Sequence, residues 1–324
     1  MNKIIFTSPA HLLSLTNIRE GENKLGQKMG TVADLADLRN HPAKFVLLGI
    51  PEDVGVRANG GQAGTATTWP AVLRAFCNIQ STAKLSGEDI VALGEINVTE
   101  EQFSSLQTPI NELPKLVERV DEKVCEVMLQ VFESGKVPIV IGGGHNNAYP
   151  LLKALSQTKK IPVNALNMDA HADFRKLEGR HSGNGFSYAF KEGYLDKYAV
   201  WGLHENYNAQ YLIDRMNAHP DRINYTFFED FMTWKTDPGS AFERAMQFVQ
   251  GVYGLELDMD SVAYAAASAA SPTGFTAEVI RSMLYQTRAF KPAYLHICEG
   301  IAEAQPLQAK LIAYFISDFI KAQF

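Results

Sequence analysis

The sequence predicts an α/β fold, a mostly parallel sheet with helices on both faces, and two observations carry that prediction. The first is a set of apolar runs at 44–50, 137–144, 162–170, 198–204, 222–228, 252–260 and 292–300. They are apolar nearly throughout rather than alternating, which suits strands covered on both faces. The second is the helix-period sequence between them. In LPKLVERVDEKVCEVMLQVFESGK, residues Leu116, Val120, Val124, Val127 and Val131 follow helical spacing, and Gly135 can close the helix in a left-handed cap. Further helical segments are expected near 146–158, 206–218, 238–251, 276–289 and 306–322. Strands alternating with helices mean parallel strands joined by crossovers.

The chain has 324 residues, 46% of them hydrophobic and 20% charged, enough to bury a sizeable core. It shows no repeat, low-complexity tract or Pro/Gly/Ser linker, so a single domain over 1–324 is expected, with a peripheral extension over about 1–40. The segments 52–68 and 261–275 are rich in small residues and read as long loops, which in compact domains are often functional. A net charge of −6 disfavours nucleic acid or an anionic membrane as the main partner. Cys77, Cys125 and Cys298 form no CxxC pair, and no apolar leader or membrane-length span is evident, so a reduced, soluble, cytoplasmic protein is expected.

Three strand ends concentrate acids and imidazoles. NMDAHADFR places Asp169, His171 and Asp173 at alternate positions behind one apolar run. LELDMD does the same with Asp258 and Asp260, and GGGHNN places His145 behind three glycines. On an extended chain, residues two apart face the same side. In open α/β sheets ligands bind beyond the carboxyl ends of the strands. Taken singly, a DxD or DxH is commonly a solvated loop or a cap. Together, four carboxylates and two imidazoles form a hard O/N donor set, better suited to Mn²⁺ than to thiolate-held Zn²⁺ or all-oxygen Ca²⁺. Two such ions would neutralise the carboxylates and make hydroxide available at neutral pH.

These motifs resemble those of the arginase/agmatinase/formimidoylglutamase superfamily, the ureohydrolases. GGGH, DAHAD and LDMD stand in the order and spacing of its three metal-binding motifs, and GIPEDVGVRANGGQAGTATTWPAVLR resembles its early strand and glycine-rich loop. The resemblance implies a three-layer α/β/α fold around a sheet of about eight parallel strands, and a trimer or hexamer. It also implies two Mn²⁺ per subunit: His145, Asp169, Asp173 and Asp258 would hold one, and Asp169, His171, Asp258 and Asp260 the other. Asp169 and Asp258 would bridge, and Asp173 would take a catalytic part. LHICEG resembles the late strand whose glutamate grips the amidine-type group, which makes Glu299 the expected partner of the reacting centre.

Within the superfamily the sequence is most like formimidoylglutamase. Arginases carry an asparagine two residues after the last aspartate of DAHxD, and here that position is Arg175. An arginine forks onto a carboxylate, which favours an acidic substrate. Arg57 and Arg180 are candidates for a second carboxylate, and Asn184 belongs to the next substrate loop, RHSGNGFSYAF. The arginase shuttle histidine after SGN is replaced by Gly185 and Phe186, with His181 as a possible substitute. The expected reaction is hydrolysis of N-formimino-L-glutamate to L-glutamate and formamide. The alternatives are another guanidino or amidino substrate (a guanidino acid, agmatine or arginine) or a non-catalytic metal-binding member. A mononuclear zinc deacetylase also uses DxH but has no need of Asp173 with His145. The sequence departs from the superfamily after Asp260, where Ser261 to Tyr264 lack the usual acid and proline. It departs again at EGIA in place of EVNP, and at Asn146 after His145.

Overall fold

The computed structural model describes residues 3–305 and 307–324. Nine strands form one sheet: β1 (Ile4–Phe6), β2 (Phe45–Gly49), β3 (Ile90–Ile96), β4 (Val137–Ile141), β5 (Val163–Met168), β6 (Leu195–Leu203), β7 (Ile223–Phe227), β8 (Tyr253–Asp258) and β9 (Tyr294–Cys298). Their spatial order is β1-β3-β2-β4-β9-β8-β5-β6-β7. All neighbours pair in parallel except β1, which runs antiparallel to β3 at the edge. Eight parallel strands are therefore joined by one antiparallel strand, and that strand comes from the segment expected to be peripheral.

The seven apolar runs correspond to β2 and β4 to β9. Strands β2, β5, β8 and β9 are buried at every position. Successive residues feed opposite faces: Phe45 and Leu47 pack on one side of the sheet, Val46 and Leu48 on the other. The first face is covered by helices Thr68–Cys77, Pro238–Phe248, Ala277–Gln286 and Gln308–Ala322. The second is covered by Leu113–Glu133, Ala148–Lys159 and Gly185–Lys191. Gly135 closes Leu113–Glu133 at φ +77°, where a Cβ would be strained.

Two expectations need correction. The segment 52–68 is not all loop, since Val54–Ala58 is helical and Thr68 already begins the next helix. A five-residue helix is too short to show an amphipathic period in sequence. The helix expected at 206–218 spans only Gln210–Asn217, and the residues before it face the cavity described below.

Candidate active site and metal centre

Strands β4, β9, β8 and β5 are consecutive in the sheet, so their carboxyl ends deliver His145, Glu299, Asp258 and Asp169 to one place. Among the described residues, ligand atoms of His145, Asp169, Asp173 and Asp258 all lie within 4.8 Å of one another. His145 Nδ1 is 2.8 Å from Asp173 Oδ2, 3.1 Å from Asp258 Oδ2 and 3.2 Å from Asp169 Oδ2. The other oxygen of Asp169 is 3.6 Å from His171 Nδ1, which is also 3.5 Å from Asp260 Oδ2. Asp169 thus turns one oxygen toward each histidine.

Local backbone sets this convergence. The turn after β4 uses Gly142 and Gly143 at φ +87° and +77°. A Cβ on Gly143 would lie 2.4 Å from Asn147 Nδ2 and 2.8 Å from Glu52 Oε1. Glu52, fully buried, accepts from the Gly144 amide at 2.9 Å and from Asn147 Nδ2 at 2.7 Å, which fixes the turn presenting His145. Past β5 the chain is braced by Asn208, whose Oδ1 accepts from Ala172 N at 2.9 Å. Asp173 and Glu299 both adopt left-handed backbone, φ +43° and +60°. For non-glycine residues that costs roughly 1–3 kcal/mol, strain typical of functional positions. Glu299 is held by an amide hydrogen bond from His145 N at 2.6 Å and by the Ser268 hydroxyl.

Electrostatics mark the cluster as unbalanced. Burial, reinforced by the charge of Asp169, raises Asp258 well above the usual carboxylate range, and burial with the Asp258 charge does the same to Asp260. Burial opposes a charge on His171, yet Asp169 and Asp260 outweigh it and push its pKa up to about 9. Burial raises Glu299 to about 7 against its two hydrogen bonds. His145 Nε2 is buried without a hydrogen-bond partner. Carboxyl oxygens and imidazole nitrogens crowded away from water fit a hard divalent cation.

A cavity of about 170 Å³ opens above the acids. His171, Asp173, Asp258, Asp260, Glu299 and Arg175 line it, together with Asn59, Ser182, Gly183, Tyr207, Asn208 and Ser268. Arg175 Nη1 donates to Asn59 Oδ1 at 2.8 Å, and its Nη2 lies 2.9 Å from Glu178. Four other expected site residues are placed elsewhere. Arg180 is buried against Asp121 at 2.8 Å and donates to Asn184 Oδ1 at 2.7 Å, so both brace the loop from within. Arg57 pairs with Asp53 at 2.5 Å, one helical turn back. His181 caps the short turn Ser182–Asn184 by accepting from Gly183 N at 3.1 Å. Burial and the Arg175 charge lower its pKa to about 4. None of these four lines the cavity. Of the lining residues absent from the sequence reading, Asn59 and Ser268 lie in the two small-residue segments 52–68 and 261–275, and Tyr207 and Asn208 lie just before the helix Gln210–Asn217. Nothing in their own identity singles them out.

Residues 43–307 match the sequence model of the arginase family. The chain belongs to the arginase family. Formimidoylglutamase of Streptococcus pyogenes serotype M3 is 30% identical over 260 residues, spanning 74% of this chain and 72% of that protein. The fold is similar to that of formimidoylglutamase from Bacillus subtilis, with a TM-score of 0.79 and 16% identity over 95% of this chain and 94% of that one. It is also similar to Trypanosoma cruzi formiminoglutamase with Mn²⁺, with a TM-score of 0.75 and 18% identity over 93% and 98% of the two chains. This arginase-family protein is a hydrolase of C–N bonds in amidine-type groups, and among its described residues no helix is long and apolar enough to cross a membrane.

Proposed function

We propose that the protein hydrolyses N-formimino-L-glutamate to L-glutamate and formamide with two manganese ions bound at the cluster. His145, Asp169, Asp173 and Asp258 would hold one ion and Asp169, His171, Asp258 and Asp260 the other. The two-sided placement of Asp169 supports this sharing. When bound, the ions would supply Lewis acidity and a source of hydroxide at neutral pH.

The chain's own residues orient the substrate and move its proton. Glu299, fixed by Ser268 and the His145 amide, accepts from the N–H groups of the formimino end. Arg175 forks onto a substrate carboxylate at the cavity wall, in contacts of about 1.5–3 kcal/mol each. The Asp173 carboxylate takes a proton from the attacking water and returns it to the departing amine nitrogen. The water oxygen first adds to the formimino carbon to give a tetrahedral intermediate. Its C–N bond to glutamate then breaks with that nitrogen protonated. The second water proton ends on the formimino nitrogen, giving formamide and the free amine.

Arg175 is the observation that carries the substrate choice, because a guanidinium beside the acids suits an anionic tail and repels a cationic one such as agmatine's. The test is product analysis of the Mn²⁺-loaded protein on N-formimino-L-glutamate, arginine, agmatine and 4-guanidinobutyrate. Glutamate without urea is the expected result. Urea from 4-guanidinobutyrate would move the substrate to a guanidino acid. Turnover of agmatine at least as fast as of the acidic substrates would remove the role given to Arg175.

A further inference from the structure

Beneath the centre lies a polar group that the reaction described above does not use. Glu256 sits in β8 between Leu255 and Leu257, fully buried, two residues before Asp258. Its Cα partner across the ladder is His296 of β9, and Tyr294 stands opposite Gly254. Tyr294 Oη donates to Glu256 Oε1 at 2.5 Å, and His296 Nδ1 lies 2.6 Å from Glu256 Oε2. His296 Nε2 faces Gly142 O at 3.3 Å, tying the group to the glycine turn that presents His145. Gly254 makes this possible, because a Cβ there would lie 2.3 Å from Tyr294 Oη.

The same Glu256 Oε2 is 3.6 Å from His145 Nε2, the ring nitrogen without a hydrogen-bond partner. His145 presents Nδ1 to Asp169, Asp173 and Asp258. An imidazole that ligates through Nδ1 carries its proton on Nε2, and an acceptor there fixes tautomer and ring orientation. An acid in the middle of an all-buried strand costs free energy unless it is so engaged.

We infer that Glu256 is a positioning residue: its carboxylate, pinned by Tyr294 and His296, faces the Nε2–H of His145 at 3.6 Å and favours the tautomer and ring orientation in which Nδ1 binds metal. This rests on the reading of His145 as a metal ligand. It assigns the buried Glu256, Tyr294 and His296 trio to the metal site rather than to sheet stability alone.

The test is Mn²⁺ binding to the folded, metal-free protein by chelator competition, for wild type, Glu256→Gln, His145→Ala and the double variant. In the wild-type background Glu256→Gln should weaken the affected ion by about 10–100-fold. In the His145→Ala background the same change should have little further effect, since the ring it orients is gone. Equal losses in both backgrounds, or no loss in wild type, would overturn the inference. Should Glu256→Gln fail to fold, Tyr294→Phe keeps the carboxylate and frees one of its oxygens. It should give a smaller loss of affinity that likewise vanishes without His145, and an unchanged affinity would overturn the assignment. A folded wild type that binds no Mn²⁺ would instead remove the metal reading itself.

Discussion

Arg175 and Arg180 carry the same charge five positions apart, and the sequence offered both as carboxylate readers. The structure separates them. Arg175 lines the cavity, whereas Arg180 is 2% exposed and paired with Asp121. Replacing Arg175 with Ala should lower kcat/KM about tenfold or more, the loss of one charge-assisted contact, and leave Tm nearly unchanged. Arg180→Ala strands a buried carboxylate and should cost roughly 3–5 kcal/mol in denaturant unfolding. Arg57→Ala removes the partner of the buried Asp53, which is still held by Gly64 N and Gln102 Nε2, so it should cost about 1–3 kcal/mol, less than Arg180→Ala, with activity retained. Arg175 and Arg180 cannot be told apart in sequence because the partners that place them lie on other elements, whereas Arg57 has its partner Asp53 four residues back. Asp121 is 59 positions from Arg180, and Asn59 is 116 from Arg175. The six proposed metal ligands were legible because each belongs to a short motif at the end of an apolar run.

At the scale of elements, strands β2 and β4 to β9 could be read from continuous apolar runs, and β1 and β3 could not. β1 is three residues long with one buried position. In β3 the run breaks at Gly94 and Glu95, where Gly94 adopts φ +125° against the backbone of β1. The helix Thr68–Cys77 was hidden behind Pro70, which is tolerated because it falls in the first turn. The turn at Gly142 to Gly144 matters most for the site. A Gly143→Ala change places a Cβ at positive φ and against Asn147 and Glu52. It should cost roughly 1–3 kcal/mol in stability and displace His145. A chelator-competition assay should then show weaker Mn²⁺ binding, while a variant with wild-type affinity would mean the turn does not set the ligand.

For the whole molecule, folding crowds Asp169, Asp173, Asp258 and Asp260 around two imidazoles, so the proposed metal binding would be coupled to stability. A ligand bound only to the folded state adds about 2.7 kcal/mol at a hundred times its Kd. Removing metal should therefore lower Tm, and Asp258→Asn should lower Tm and activity together. The pH dependence of the metal-free protein has a definite sign. His171, with its folded pKa raised to about 9, contributes stability that is present below the unfolded value of about 6.5 and lost as pH rises toward 9. Asp258 and Asp260, raised well above their ordinary range, likewise favour the folded state less as pH rises. Metal-free Tm should thus fall from pH 6 to pH 9, and saturating Mn²⁺ should flatten the decline. A metal-free Tm that rises over that interval would contradict the assignment of charges.

The central claim is that two cations belong among Asp169, Asp173, Asp258, Asp260, His145 and His171. The most direct measurement is elemental analysis of the Mn²⁺-equilibrated, desalted protein beside Asp258→Asn. The account predicts about two ions per chain for the wild type, following the two-metal arrangement, and a marked loss in the variant. A wild type that retains no metal, or a variant that retains as much as the wild type, would contradict it.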